Sequence, residues 1–209
     1  MINKMLYPKT RRVGKNNSDI VITEKLDGSN LGFFTINGEL YIAMRKNIIA
    51  WNDVKEGTKD KELITNYKGL LPFLENNADW LAHNIYDKSV IFGEWMGMGK
   101  LKYGDSVPRF NIFAKARIVD ANYNIGSLNW DLSLLKYAFN NQVIPEDILS
   151  VVPLVGIFTH NLTIAELDEL YDDYSKRMNR NVEGFIIRRG ISIEKYVRMK
   201  NGKLEAHHA

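Results

Sequence analysis

The run Glu24-Lys25-Leu26-Asp27-Gly28-Ser29-Asn30 sets an amine, a carboxylate and a turn directly after the apolar, β-branched stretch Ile20-Val21-Ile22-Thr23. A lysine where a buried strand runs out into a turn is open to desolvation and to neighbouring cations. Both disfavour the ammonium and free the lone pair for nucleophilic attack. Four further segments bring polar groups to strand ends. Arg45 follows an apolar strand, and Phe92-Gly93-Glu94-Trp95 closes another with a carboxylate. Val182-Glu183-Gly184-Phe185-Ile186-Ile187-Arg188-Arg189 has a carboxylate at its head and arginines at its tail. Tyr196-Val197-Arg198-Met199-Lys200-Asn201 alternates, which puts Arg198 and Lys200 on one face. A nucleophile, cations for phosphate oxygens and carboxylates for a divalent metal are the parts that phosphoryl transfer needs. Taken singly, each has a plainer reading as a solvated strand end or a turn-side carboxylate. Their occurrence together, in order, carries the argument.

The elements that must position these groups follow from the hydrophobic pattern. Leu31–Ile36 and Glu39–Met44 flank Asn37-Gly38, a strong hairpin signal. Lys55–Tyr86 reads as mostly helical, with Leu63, Leu70, Leu71, Leu74 and Leu81 as its apolar face and Pro72 breaking or restarting it. Strands are expected at Ser89–Trp95, Arg109–Asp120, Val151–Phe158, Val182–Arg188 and Glu194–Lys200, with turns at 122–124 and Gly190. Asp131–Asn141 reads as a short helix, and Thr163–Met178 as a helix opened by a Thr163/Glu166 capping box. The fold class is α+β, antiparallel sheets with flanking helices, without the regular alternation of a doubly wound sheet.

The 209 residues suit one domain, here 1–203, with 204–209 resembling an altered purification tag. A net charge of +3 is compatible with nucleic acid without arguing for it. The absence of cysteine removes disulfides, thiolate metal sites and cysteine nucleophiles. No apolar run reaches membrane-span length, and the N-terminus lacks a signal-peptide core, so no membrane partner and a cytoplasmic setting are expected. No protein partner is evident. His83 and His160 lack ligand-spaced partners, Trp80, Trp95 and Trp130 read as core or rim, and the basic run from Lys9 to Lys15 as a solvated face.

In order along the chain, these motifs resemble those of the covalent nucleotidyltransferase superfamily of ATP-dependent DNA and RNA ligases and mRNA capping enzymes. Lys25-Leu26-Asp27-Gly28 is similar to the nucleophile motif, Phe92-Gly93-Glu94 to the third, and Phe110-Asn111-Ile112-Phe113 to the aromatic segment after it. Glu183-Gly184-Phe185-Ile186 is similar to the fourth, and Arg198-Met199-Lys200 to the fifth. Asn30, Glu24 and Arg45 fit the RNA ligase 2-type branch, since DNA ligases and capping enzymes usually carry arginine at the position of Asn30.

The resemblance implies an adenylation-domain fold with a nucleotide cleft between sheets. It implies ATP with Mg²⁺ or Mn²⁺ as cofactors, and RNA with 5′-phosphate and 3′-hydroxyl ends as partner. Lys25 would become lysyl-AMP, and AMP would pass to the 5′-phosphate before the 3′-hydroxyl displaces it. Glu24 would lie by the adenine amino group and Phe113 on the purine, although on the residues alone Phe113 reads as a core phenylalanine. Arg45 and Glu94 would contact ribose and phosphate. Glu183 with Asp27 would hold the metal, and Arg198 and Lys200 the α-phosphate. Arg188 and Asn30 would serve the RNA end. The chain departs from the pattern at Arg198, where lysine is usual, and at Ala114, where an acid is common. It also ends just past the fifth motif, where such enzymes add a second domain, which places self-adenylylation ahead of end joining. A DNA ligase or capping-type domain, or a non-catalytic nucleotide- or RNA-end-binding module, are the alternatives.

Overall fold

The computed structural model describes residues 1–4, 7, 11–12, 20–55, 59–103, 107–140, 148–190, 192–200 and 203–204. Of the features read from sequence, Lys9, Thr10, Lys15, residues 205–209 and the side chain of Lys200 lie outside the described residues. In chain order the strands are β1 (Ile2–Asn3), β2 (Arg11–Arg12), β3 (Ile20–Lys25), β4 (Ser29–Ile36), β5 (Glu39–Ala43), β6 (Asn47–Ala50), β7 (Ser89–Trp95), β8 (Phe110–Arg117), β9 (Ser150–Val151), β10 (Leu154–Phe158), β11 (Gly184–Arg189), β12 (Ser192–Val197), β13 (Met199–Lys200) and β14 (Lys203–Leu204). The helices are α1 (Trp51–Lys55), α2 (Lys59–Thr65), α3 (Leu70–Asn84) and α4 (Ile164–Met178), with a 3₁₀ helix at Leu132–Ala138. The α+β class read from the sequence is the one observed.

The chain forms two compact units, each discontinuous in sequence: 1–8, 28–98 and 108–151, and 9–27, 99–107 and 152–209. The first holds a seven-stranded sheet in the order β1-β6-β5-β4-β7-β8-β9. The expected hairpin is β4–β5, and its turn residues Asn37 and Gly38 both take left-handed φ, 53° and 80°. That is the two-residue turn whose twist suits antiparallel strands. Alternation along the sheet turns Leu31, Phe33, Ile91 and Trp95 into one core with Leu70, Leu74, Ala78 and Leu81 of α3.

The second unit holds a five-stranded sheet in the order β10-β3-β11-β12-β2. Helix α4 begins at the Thr163/Glu166 capping box read from the sequence. Its Leu167, Tyr171 and Tyr174 pack on Ile20 and Ile22 of β3, Phe185 and Ile187 of β11 and Tyr196 of β12. One face of this sheet is therefore closed by the helix. Val21, Thr23 and Lys25 point to the opposite face, as do their cross-strand partners Arg188, Ile186 and Gly184.

The helical stretch restarts at Pro72, one of the two roles expected of it: α2 ends at Thr65, and Pro72 sits in the first turn of α3, where a missing N–H leaves no intrahelical bond unmade. Two expectations are corrected. Val151–Phe158 is two strands in different sheets, divided at Val152-Pro153 because proline cannot donate to a ladder. Glu194–Lys200 is not continuous: the chain bends at Arg198, because the Glu183 carbonyl accepts from the N–H of both Arg198 and Met199, each at 2.9 Å. Strand β6 and helix α1, short elements between the hairpin and α2, have no counterpart in the sequence reading.

Candidate active site

Lys25 is the last residue of β3, and its Nζ forms an ion pair with Oε2 of Glu183. Glu183 directly precedes β11, whose Gly184 stands opposite Lys25 in the ladder, so strand pairing brings the two residues close. Burial pushes the Glu183 carboxyl above its ordinary range; the Lys25 and Lys195 ammoniums draw it back without cancelling the effect, and the Asp27 carboxylate adds to the rise. Oε2 is enclosed and, among the described residues, has no hydrogen bond beyond the contact with Lys25. The same residue's carbonyl anchors the bend at Arg198. Three sequence-distant motifs, around Lys25, Glu183 and Arg198, are thus tied through one glutamate.

The flanks of Lys25 are held as well. Oδ2 of Asp27 accepts from the N–H of Lys100 at 2.7 Å and of Leu101 at 2.8 Å, and the Asp27 N–H donates to the Tyr103 hydroxyl at 2.9 Å. On the other flank, alternation sends Glu24 to the helix side of the sheet. Its side chain has no exposed surface and accepts from the Tyr174 hydroxyl at 2.8 Å and from both terminal nitrogens of Arg180. A ligand cannot touch an atom without accessible surface, so the expected adenine contact of Glu24 is not open in this arrangement.

Arg198, read as a phosphate ligand, instead bonds Asp168 of α4 and lies 5.2 Å from the Tyr171 ring. The even-numbered residues of β12 face the helix, as buried Tyr196 shows. The cation that β12 turns to the Lys25 side is Lys195, opposite Ile186. Alternation counted from Arg198 and Lys200 leaves Lys195 out; counted from the buried Tyr196, it puts Lys195 on the Lys25 face. Arg188 does share the Lys25 face, buried, with Nη1 donating to Thr23 Oγ1 at 3.2 Å.

In the first unit, Asn30 and Glu94 stand directly opposite across β4 and β7. Gly28 explains itself by close approach: a Cβ there would lie 2.4 Å from the Trp95 carbonyl oxygen and 2.9 Å from Glu94 Cγ. We expect Gly28→Ala to cost about 1–3 kcal/mol through overpacking, read as a lowered midpoint in thermal unfolding; an unchanged midpoint would show that β7 yields freely. Phe113 is the extra residue of a bulge in the β7–β8 ladder, a device that re-aims a side chain. Its ring meets Tyr7 edge-on at 5.0 Å. Arg45 is exposed just beyond β5.

A family model described as RNA ligase matches residues 18–201. The chain belongs to the RNA ligase family. Solved structures agree with that family's fold. An archaeal ATP-dependent RNA ligase in its form 2 superposes with a TM-score of 0.54 at 15% identity, covering 92% of this chain and 48% of that one. Its form 1 gives 0.53 at 17%, with the same shares. A lysine-to-alanine mutant of Naegleria gruberi RNA ligase with ATP and Mn gives 0.52 at 15%, covering 92% of this chain and 56% of that one. The chain therefore spans about half the length of these RNA ligases. No curated protein matches it. No helix among the described residues is long and apolar enough to cross a membrane.

The residues also admit a divalent cation. Among the described residues no three His, Asp or Glu side chains gather into a ready-made metal cage. Mg²⁺ needs no such cage, since it keeps several waters and binds through one or two carboxylates plus phosphate oxygens. The Glu183 side chain is 16% exposed, but its Oε2 is enclosed against Lys25, so this carboxylate suits that mode once the ion pair opens.

Proposed function

We propose that this chain is the nucleotidyltransferase domain of an ATP-dependent RNA ligase. The supporting observation is the Lys25–Glu183 pair at the mouth of β3 and β11 in a member of the RNA ligase family. Lys25 Nζ attacks the α-phosphorus of ATP, a P–N bond forms, the bond to the bridging oxygen breaks, and pyrophosphate leaves while the amine loses a proton. AMP then passes to the 5′-phosphate of RNA, and a 3′-hydroxyl displaces it to close the phosphodiester.

An ammonium paired with a carboxylate is not a nucleophile, so the ion pair must open before attack. A divalent cation held by Glu183, with Asp27 as second carboxylate, would supply the charge that draws Glu183 from Lys25 and offsets charge on the phosphate. Lys195 and Lys200 serve the phosphate. Arg198 joins them only by leaving Asp168. Arg188 and Asn30 serve the RNA end, Arg45 and Glu94 the ribose and phosphate, and Phe113 the purine.

Incubation with α-labelled ATP or GTP and Mg²⁺ or Mn²⁺, followed by denaturing electrophoresis, tests the reading. Label from ATP supports it, label from GTP alone favours capping, and no label favours a binding module. With adduct in hand, nicks ending in an RNA 3′-hydroxyl should be sealed faster than all-DNA nicks, through 2′-hydroxyl contacts and A-form shape. The rate should fall steeply with salt because affinity rests on phosphate contacts. Equal sealing of the all-DNA nick would move the assignment to a DNA ligase.

A further inference from the structure

Arg180 lies outside every motif used above, yet it occupies the centre of the network around the nucleophile. Helix α4 ends at Met178, and Asn179 takes a left-handed φ of 51°, a conformation asparagine tolerates at a helix C-terminus. That turn delivers Arg180 beside the sheet. Its two terminal nitrogens grip the two oxygens of Glu24, with Nη2 to Oε2 at 2.7 Å. The Tyr174 hydroxyl completes the set at 2.8 Å. The same guanidinium lies 4.9 Å from the centre of the Tyr103 ring. The Tyr103 hydroxyl in turn receives the N–H of Asp27. One arginine thus reaches both flanks of Lys25: Glu24 before it and, through Tyr103, Asp27 after it.

The consequence follows from strand geometry. Neighbouring side chains on a strand point to opposite faces. Pinning Glu24 to the helix side fixes the twist of the last residues of β3, and that directs Lys25 to the face it shares with Glu183. A planar bidentate fork sets direction as well as distance, which a lysine could not do. We propose that Arg180 is a positioning residue that, through Glu24 and Tyr103, aims Lys25, and that Glu24 serves this purpose rather than reading the base. The inference rests on the reading of Lys25 as the nucleophile.

Single-turnover adduct formation in Arg180→Met, Glu24→Met and the double variant tests it, with circular dichroism and thermal unfolding to establish folding. The double variant replaces both buried charges by apolar groups, so it is the one that keeps its fold if a single change does not. Each folded variant should form adduct about ten- to a hundredfold more slowly at saturating ATP. The half-saturating ATP concentration should stay within about threefold and the ATP-over-GTP preference should hold. The double variant should be no slower than the slower single one, because the residues act as a unit. Arg180→Lys should not restore the rate.

An ATP-independent readout separates this from failure of the enzymatic reading. Competitive labelling of lysines with an amine-reactive reagent should show Lys25 changed relative to Lys88, which belongs to the other unit, in Arg180→Met, whether or not wild type forms adduct. Unchanged Lys25 labelling and adduct rate overturn the proposal. So does a loss of base preference in Glu24→Met that Arg180→Met does not share.

Discussion

Lys25→Ala forms no covalent AMP adduct, and neither does Lys25→Arg. The expected loss is complete, at least about a thousandfold, because Lys25 is the amine that ends β3 and pairs with Glu183, and a guanidinium remains protonated at working pH. The fold should survive. Lys25 and Glu183 are only 22% and 16% exposed, so removing the ammonium costs more than for a surface pair, up to about 3 kcal/mol, a loss that protonation of the carboxyl limits. The ladder pairing of β3 with β11 does not depend on the side chain. Denaturing electrophoresis after incubation with α-labelled ATP checks the adduct, and circular dichroism checks the fold. Adduct on a folded Lys25→Ala protein would mean that another residue is the nucleophile.

The parts of this site that were legible in the sequence are those that local rules decide. Asn37-Gly38 fixed a hairpin, Thr163 with Glu166 fixed a helix start, and Lys25 at the end of an apolar run is where the structure places it. The parts that were not legible depend on which face a side chain takes after the chain bends. Alternation from Tyr196 to Lys200 put Arg198 on the phosphate side. The carbonyl of Glu183, which lies elsewhere in the sequence, bends the strand there, and Asp168 on α4 takes the guanidinium. Glu24 stands next to Lys25 in sequence and on the other side of the sheet in space, for the same alternation that was read correctly elsewhere. Arg180 carried no signal at all: an arginine after a helix end is ordinary until Glu24 is seen opposite it. Cations are expected around Lys25, and Lys195 and Arg188 share its face, but its direct partner is the Glu183 carboxylate, which adds to the chemistry of a lysine among like charges that of one released when its partner is engaged.

That difference makes Glu183→Gln the more informative of the carboxylate variants. Glutamine keeps the volume but can neither pair with an ammonium nor bind a divalent cation strongly. Adduct formation should fall by about a hundred- to a thousandfold, the scale on which a single preorganised electrostatic group acts. The half-saturating Mg²⁺ concentration should rise at least about tenfold. Stability in chelator should move the other way with pH. Burial raises the Glu183 carboxyl above its usual value in the folded protein, so the fold takes up a proton between the unfolded and folded values. Wild type then loses stability as pH rises through that window, which opens near the ordinary glutamate value of about 4.3. Glutamine does not titrate, so the difference between variant and wild type should shift in favour of the variant as pH rises from about 4 towards neutrality, as read by urea unfolding at each pH. Added Mg²⁺ should restore stability to wild type and leave the variant unmoved. A variant with unchanged adduct rate and unchanged Mg²⁺ titration would leave Glu183 a structural partner of Lys25 and place the metal elsewhere.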